Sequence, residues 1–174
     1  AIHGEIDAAR TGKPARIIAK MNSLLEPEII TALYEASGAG VTIDLIVRGA
    51  CMLPAQRPGM TDNIRVRSII GRFLEHARVF YFRSGDLEDV YLSSADWMNR
   101  NMFRRIELAW PVTDPVLKQR IIDECLVSEI HDGRDAWDML PDGTYRRVDP
   151  KLPGHSAQMA LMTLFGDRSK GVSG

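Results

Sequence analysis

Several things are scarce in this sequence, and each shortage removes a class of protein. There are only two cysteines, Cys51 and Cys125, far apart and in no CxxC or Cys/His pattern. They offer neither a disulfide framework nor a zinc site, and read as reduced thiols of a cytoplasmic protein. No apolar run approaches the roughly 20 residues needed to cross a bilayer. The opening AIHGEIDAARTGKPA has acidic residues and no apolar core, so it is not a signal peptide. The net charge of -1 gives no whole-chain attraction to nucleic acid. Neither an internal repeat nor a low-complexity segment occurs. The first residue is not Met, and the first segment reads as a helix entered from upstream, which points to a domain of a longer protein.

What is present is an ordinary globular mixture. The 174 residues are 45% hydrophobic and 26% charged, enough for one domain with a core of its own. ARIIAKMN (15–22) and VTIDLIVRG (41–49) are nearly continuous in apolar residues, as strands covered on both faces are. Between them, EPEIITALYEASGAG has Pro27 in its first turn and apolar residues at helical spacing. This β-α-β unit predicts parallel strands with a right-handed crossover. A Pro/Gly-containing loop (50–63) follows, and IRVRSIIGRFLE (64–75) is expected to begin as a helix. ARVFYFR and DVYLSSAD form a hairpin, and MFRRIELAWPV (102–112) a fifth strand. A long helix capped by Thr113 or Asp114 runs to Gly133, a second hairpin turns at Pro-Asp-Gly, and SAQMALMTLF is a C-terminal helix before a frayed tail. The fold class is α/β: a single domain with a mixed sheet flanked by helices.

The stretch GRFLEHARVFYF raises the functional question. His76 stands between Arg72 and Arg78, at the mouth of a buried strand. Fixed positive charge makes such a histidine a poor metal ligand and a plausible handler of phosphate. In sheets with crossover helices, ligands gather beyond the carboxyl ends of parallel strands. If the strand after His76 is antiparallel to its neighbours, one edge holds Lys20, Asn22, Arg48, His76, Ser93 and Ser94. Guanidinium donors match phosphate oxygens, and an imidazole can exchange a proton near neutrality. Plainer readings stay open for each residue. Arg48 can close its strand in a surface salt bridge, His76 can bond a backbone carbonyl, and Ser93–Ser94 can be a turn. Arg65, Arg67 and Arg72 read as a solvated helix face, and His3, His131 and His155 as surface residues.

Three blocks narrow this. LIVRGACMLPAQRPGMTDNIRVRSIIGRFLEHARVFYF, VYLSSADWMNRNMFRRIELAWPV and DPVLKQRI resemble the C-terminal catalytic domain of bacterial polyphosphate kinase, the type that works through a phosphohistidine. KMNSLLEPEIITALYEASGAGV resembles the start of that domain, so the likeness covers roughly 4–148. The resemblance implies a phospholipase D-like fold, in which each of two domains supplies a histidine to one shared site. The chain departs from that superfamily's H-x-K-x4-D signature: Arg78 stands where Lys would, and no Asp follows at the right offset.

The resemblance further implies that Arg48 and His76 contact the phosphates of ATP or ADP, with His76 as acid/base. Arg105, then Lys20 and Asn22, are weaker candidates for holding polyphosphate. The histidine that becomes phosphorylated, and the ligands for Mg2+, are expected in a preceding catalytic domain absent from this chain, and no metal ligand is expected here. The implied partners are that domain, ATP and inorganic polyphosphate, with no nucleic acid. A homo-oligomer or a membrane association of the full-length protein is left open. The expected division is a catalytic domain over 1–149 and a helix and tail over 150–174. A second reading, from a different class, is a non-catalytic polyanion-binding and assembly module. A third, a phosphodiesterase, is disfavoured by the missing Lys and Asp.

Overall fold

The structure, a computed structural model, describes residues 1–148 and 154–170. The boundary expected at 149/150, and the last four residues of the tail, lie outside the described residues.

Strand β1 (Ala15–Met21) lies parallel to β2 (Thr42–Val47), and β2 lies parallel to β3 (Ile64–Ile69). On the other side of β1 sits β4 (Val79–Ser84), antiparallel, followed by β5 (Leu87–Ser93) and the short β6 (Ala109–Pro111). On the other side of β3, β7 (Ala136–Met139) and β8 (Tyr145–Arg147) complete a mixed eight-stranded sheet of order β6-β5-β4-β1-β2-β3-β7-β8.

Alternation along the central strands explains why they are apolar throughout. Ile17, Ala19 and Met21 of β1, with Ile43, Leu45 and Val47 of β2, face a core shared with α1 (Ile2–Arg10) and α2 (Pro27–Gly38). Ile18 and Ile46 face a second core with Ile122 and Leu126. Those two come from a π-helical segment (Ile122–Val127) that joins α4 (Pro115–Ile121) to α5 (Ser128–Ile130). The expected long helix is therefore one run with a π turn inside it. Asp114 caps it, its carboxylate accepting from the Leu117 N–H at 2.9 Å. Each fully buried Ile or Leu contributes about 1.5–3 kcal/mol, and the two-faced burial of β1 and β2 makes them the rigid base of the fold.

Three expectations need correction. IRVRSI is strand β3, not the start of a helix. Ile64, Val66 and Ser68 are buried while Arg65 is exposed and Arg67 half-buried, a period of two that β2 and β7 then pair. The expected fifth strand shrinks to β6; its first part is the short helix α3 (Asn99–Phe103) and a loop. Only Ala109–Pro111 find partners on β5, so Ile106 and Leu108 stay exposed. The C-terminal helix α6 (Ala157–Lys170) runs past the point where fraying was expected.

Candidate functional site

The antiparallel course of β4 brings its start to the carboxyl end of β1, where Lys20 pairs with Val79. The carboxyl ends of β1, β2, β3 and β5 and the segment before β4 therefore share one edge. Its loops are stitched together by backbone bonds. Leu24 N–H donates to Ala50 O at 2.9 Å, Leu25 N–H to Trp97 O at 2.8 Å, and Gly49 N–H to Asn22 O at 2.7 Å. Gly49 is required there: a Cβ would stand 2.9 Å from the Asn22 carbonyl oxygen.

A continuous polar chain crosses this edge. The Arg48 Nε donates to Asn22 Oδ1 at 2.9 Å. Asn22 in turn donates its backbone N–H to Asp96 Oδ1 at 2.7 Å and its amide to Oδ2 at 3.4 Å. The same carboxylate accepts from Arg78, Nε at 3.2 Å and Nη2 at 3.1 Å. Arg78 Nη1 then reaches His76 Nδ1 at 3.1 Å and the His76 carbonyl at 3.1 Å. The same Nη1 lies 3.5 Å from His76 Nε2, so the guanidinium, which only donates, faces both ring nitrogens, Nδ1 being the nearer. Arg48 and His76 are thus the two outer members of one network centred on buried Asp96. Burial would raise the Asp96 carboxyl, but Arg78 and the two Asn22 donors outweigh it and hold it below its usual value. The terminal nitrogens of Arg48 have no hydrogen-bond partner among the described residues, and the His76 ring is exposed.

The other candidates have different surroundings. Lys20 is buried, and its ammonium is shared between Glu75, at 2.7 Å, and Glu129. It lies beneath the edge rather than on it. Burial pulls its pKa down, but Glu129 and Glu75 pull harder, so Lys20 is held above the ordinary lysine value. For Glu129 burial dominates and pushes the carboxyl up to about 7. Asn22 is buried too, and orients Arg48 rather than facing solvent. Arg105 is exposed with no hydrogen-bond partner among the described residues, on the loop after α3. The Ser93 and Ser94 hydroxyls fasten that loop: Ser93 donates to the Leu108 carbonyl at 3.1 Å and Ser94 to the Glu107 carboxylate. Asp96 was the residue missed in SSADW. Its signal was a carboxylate three positions beyond the end of β5 in a cation-rich neighbourhood.

Among the described residues no group of three His, Cys, Asp or Glu is placed to hold a metal ion. Both Asp96 oxygens are already engaged by Asn22 and Arg78, and the resemblance places the magnesium ligands in the preceding domain. No helix among the described residues is long and apolar enough to cross a membrane.

Fold and site define an α/β domain whose parallel strands end in a hydrogen-bonded rim of fixed cations with one exposed imidazole. The comparisons with known proteins sharpen that class. The model of the family "Polyphosphate kinase C-terminal domain 2" matches residues 1–158, and this chain belongs to that family. Polyphosphate kinase of Burkholderia cenocepacia is 56% identical over 164 residues, which are 94% of this chain and 24% of that protein. That of Paraburkholderia phytofirmans is 56% identical over 165 residues, again 24% of its length. The crystal structure of polyphosphate kinase from Porphyromonas gingivalis superposes with a TM-score of 0.90 at 38% identity, over 98% of this chain and 26% of that one. The chain thus spans about a quarter of the length of these relatives.

Proposed function

We propose that this chain is one half of the active site of an ATP–polyphosphate phosphotransferase, the other half lying in a preceding domain. The reaction moves the terminal phosphoryl group of ATP to a histidine of that domain: the bond from phosphorus to the ADP oxygen breaks and a P–N bond forms. The end oxygen of polyphosphate then takes the group and frees the histidine. Such a transition state needs charge neutralised on the equatorial phosphoryl oxygens and a proton near the leaving oxygen. Arg48 supplies the first with the terminal nitrogens it keeps free. His76 supplies the second from its exposed ring. The single observation that carries the reading is the Arg48–Asn22–Asp96–Arg78–His76 chain, which fixes both groups on one rim.

The same rim is apolar around its cations. Met52, Ile70, Leu74 and Ile106 are exposed on loops between the elements and Phe103 at the end of α3, Ile106 almost completely. A soluble monomer seldom leaves such a surface uncovered, and the preceding domain is its natural occupant. Arg105, exposed beside Ile106, extends the cationic lining towards a polyphosphate chain.

The test is ATP-dependent polyphosphate synthesis by the full-length polypeptide. Arg48→Ala and His76→Ala are each expected to lower it at least about a hundredfold, the usual cost of one transition-state donor, with unfolding temperatures unchanged. The exposed arginines Arg100, Arg104 and Arg105 around α3 favour a second reading, a polyanion-binding module without chemistry. That reading predicts salt-sensitive polyphosphate binding and an active His76→Ala variant.

A further inference from the structure

His76 sits in a segment that regular secondary structure does not hold. From Gly71 to Ala77 the chain runs between β3 and β4 with no helix or strand, and Phe73, Leu74 and His76 are exposed. What holds this segment is a polar cluster drawn from distant parts of the sequence.

Gln158, the second residue of α6, is 6% exposed and acts as a short surrogate strand. Its Oε1 accepts from the Phe73 N–H at 2.9 Å, and its Nε2 donates to the Phe73 carbonyl at 2.9 Å. The same Nε2 donates to Glu75 Oε1 at 2.6 Å, and Glu75 Oε2 accepts from Lys20 Nζ at 2.7 Å. Lys20 is in turn paired with Glu129 on α5, which is 2% exposed. Arg67 of β3 fixes that end of α5, donating to the Glu129 carbonyl at 3.1 Å and to the Ile130 carbonyl. The start of α6 is tied down as well. Ala157 N–H donates to Asp132 at 2.8 Å, and the Ser156 hydroxyl to Asp135 at 2.6 Å. Gly71 is part of the fit, because a Cβ there would collide with the Gln158 amide. Lys20 and Gln158 thus hold the two oxygens of the carboxylate next to His76, one from the sheet and one from α6.

We propose that Gln158, Glu75 and Lys20 are positioning residues for His76, clamping the 71–77 segment so that the imidazole stays on the rim beside Arg78. The inference rests on the reading of His76 as a participant in phosphoryl transfer. None of the three touches the reacting phosphates. They act on the rate by reducing the number of places the ring can occupy, which is the part of catalysis that correct placement supplies.

Gln158→Ala removes three hydrogen bonds and leaves the central strands intact. In the full-length polypeptide, amide exchange of Phe73–His76 is expected to rise at least tenfold. The kcat for polyphosphate synthesis falls about tenfold, while KM for ATP, set by Arg48, stays within twofold. Gln158→Glu sets carboxylate against Glu75 and lowers kcat further. The double variant Q158E/E75Q relieves that repulsion but leaves the Phe73 carbonyl without its donor and Lys20 without the Glu75 carboxylate, so its kcat stays below that of the wild type. Wild-type exchange across 71–77 in Q158A, or a wild-type kcat in that variant, overturns the inference. If His76→Ala itself retains activity, the phosphoryl-transfer reading falls, and the exchange measurement alone then judges whether the clamp exists.

Discussion

At the amino-terminal end of the parallel strands, Arg16 is ion-paired with Asp44 at 2.8 Å and Arg83 donates to the Gly85 carbonyl at 3.1 Å. Lys13, Arg65 and His131 join them around an open cleft of about 710 Å3. At the carboxyl end, Arg48, Arg78 and His76 are gathered on one carboxylate through Asn22. The amino-terminal end gathers at least as many cations, and the two ends differ in organisation. In the first, each cation that makes a bond has its own local partner. In the second, one buried carboxylate orients two guanidinium groups and, through them, an imidazole. The difference teaches that counting arginines does not find a site. A site needs a shared anchor that leaves the outward nitrogens free.

The strongest way to break that comparison is to remove the anchor. Asp96→Ala strips Asn22 and Arg78 of their common acceptor and leaves a half-buried guanidinium without its ion pair. Removing one partner of a buried pair costs about 3 kcal/mol, and urea denaturation measures it directly. Synthesis of polyphosphate is expected to fall by at least the amount seen for His76→Ala, because Arg48 and His76 lose their orientation together. An Asp96→Ala protein with normal activity would sink the network as the basis of the site.

A smaller blow falls on Gly49. Its absent side chain lets the end of β2 approach the Asn22 carbonyl, where a Cβ would stand 2.9 Å away. Gly49→Ala is expected to cost about 1–3 kcal/mol, as overpacking does. KM for ATP should rise several-fold as Arg48 is displaced. The equivalent change at Gly4, where no atom lies within 4 Å, is the control: it should leave KM unchanged and raise stability by up to about 1 kcal/mol, as Ala for Gly in a helix does.

Acid titration sharpens the contrast further. A carboxyl whose pKa is lowered by folding adds stability above its unfolded value and loses it as the pH falls through the folded value. Asp96 is held below its usual 3.8, so stability should drop below that pH, and Asp96→Asn should flatten the drop. Glu129 behaves oppositely. Burial raises it to about 7, so the folded state favours its protonated form and stability declines as the pH climbs from 4.5 towards 7. Glu129→Gln should remove that decline, as unfolding free energies across this range would record.

How much of this was legible beforehand follows from the range of the interactions. β1, α2 and β2 were readable because their signals are local: apolar runs, a Pro in a first turn and a Gly after the last. The placement of Arg48 and His76 on one edge was readable because strand ends converge once the topology is guessed. β3 was misread because Ile69, Ile70 and Phe73 mimic a helical stripe. Its true period of two, with Arg65 exposed and Ser68 buried, shows only once β2 and β7 flank it. The role of Lys20 could not be foreseen. Glu75 and Glu129, which take its ammonium, are 55 and 109 positions away, and nothing local to IIAKMN announces them. Gln158 is 85 positions from the Phe73 backbone it pairs with.

The smallest expected effect is also the one that isolates the principle. Arg65→Ala removes an exposed guanidinium that has no hydrogen-bond partner among the described residues and lines the amino-end cleft. Arg16→Ala removes the half-exposed partner of buried Asp44 and is expected to cost about 1–3 kcal/mol of stability, as leaving a buried polar group unpaired does. Neither residue bonds to Asp96, Asn22 or His76. Polyphosphate synthesis by the full-length polypeptide should therefore stay within twofold in both variants. The salt dependence of the rate, which reports the charges near a bound polyanion, should be unchanged too. A tenfold loss in Arg65→Ala would mean that cations serve the reaction from both ends of the sheet. Organisation around Asp96 would then not be what separates the proposed working edge from the other.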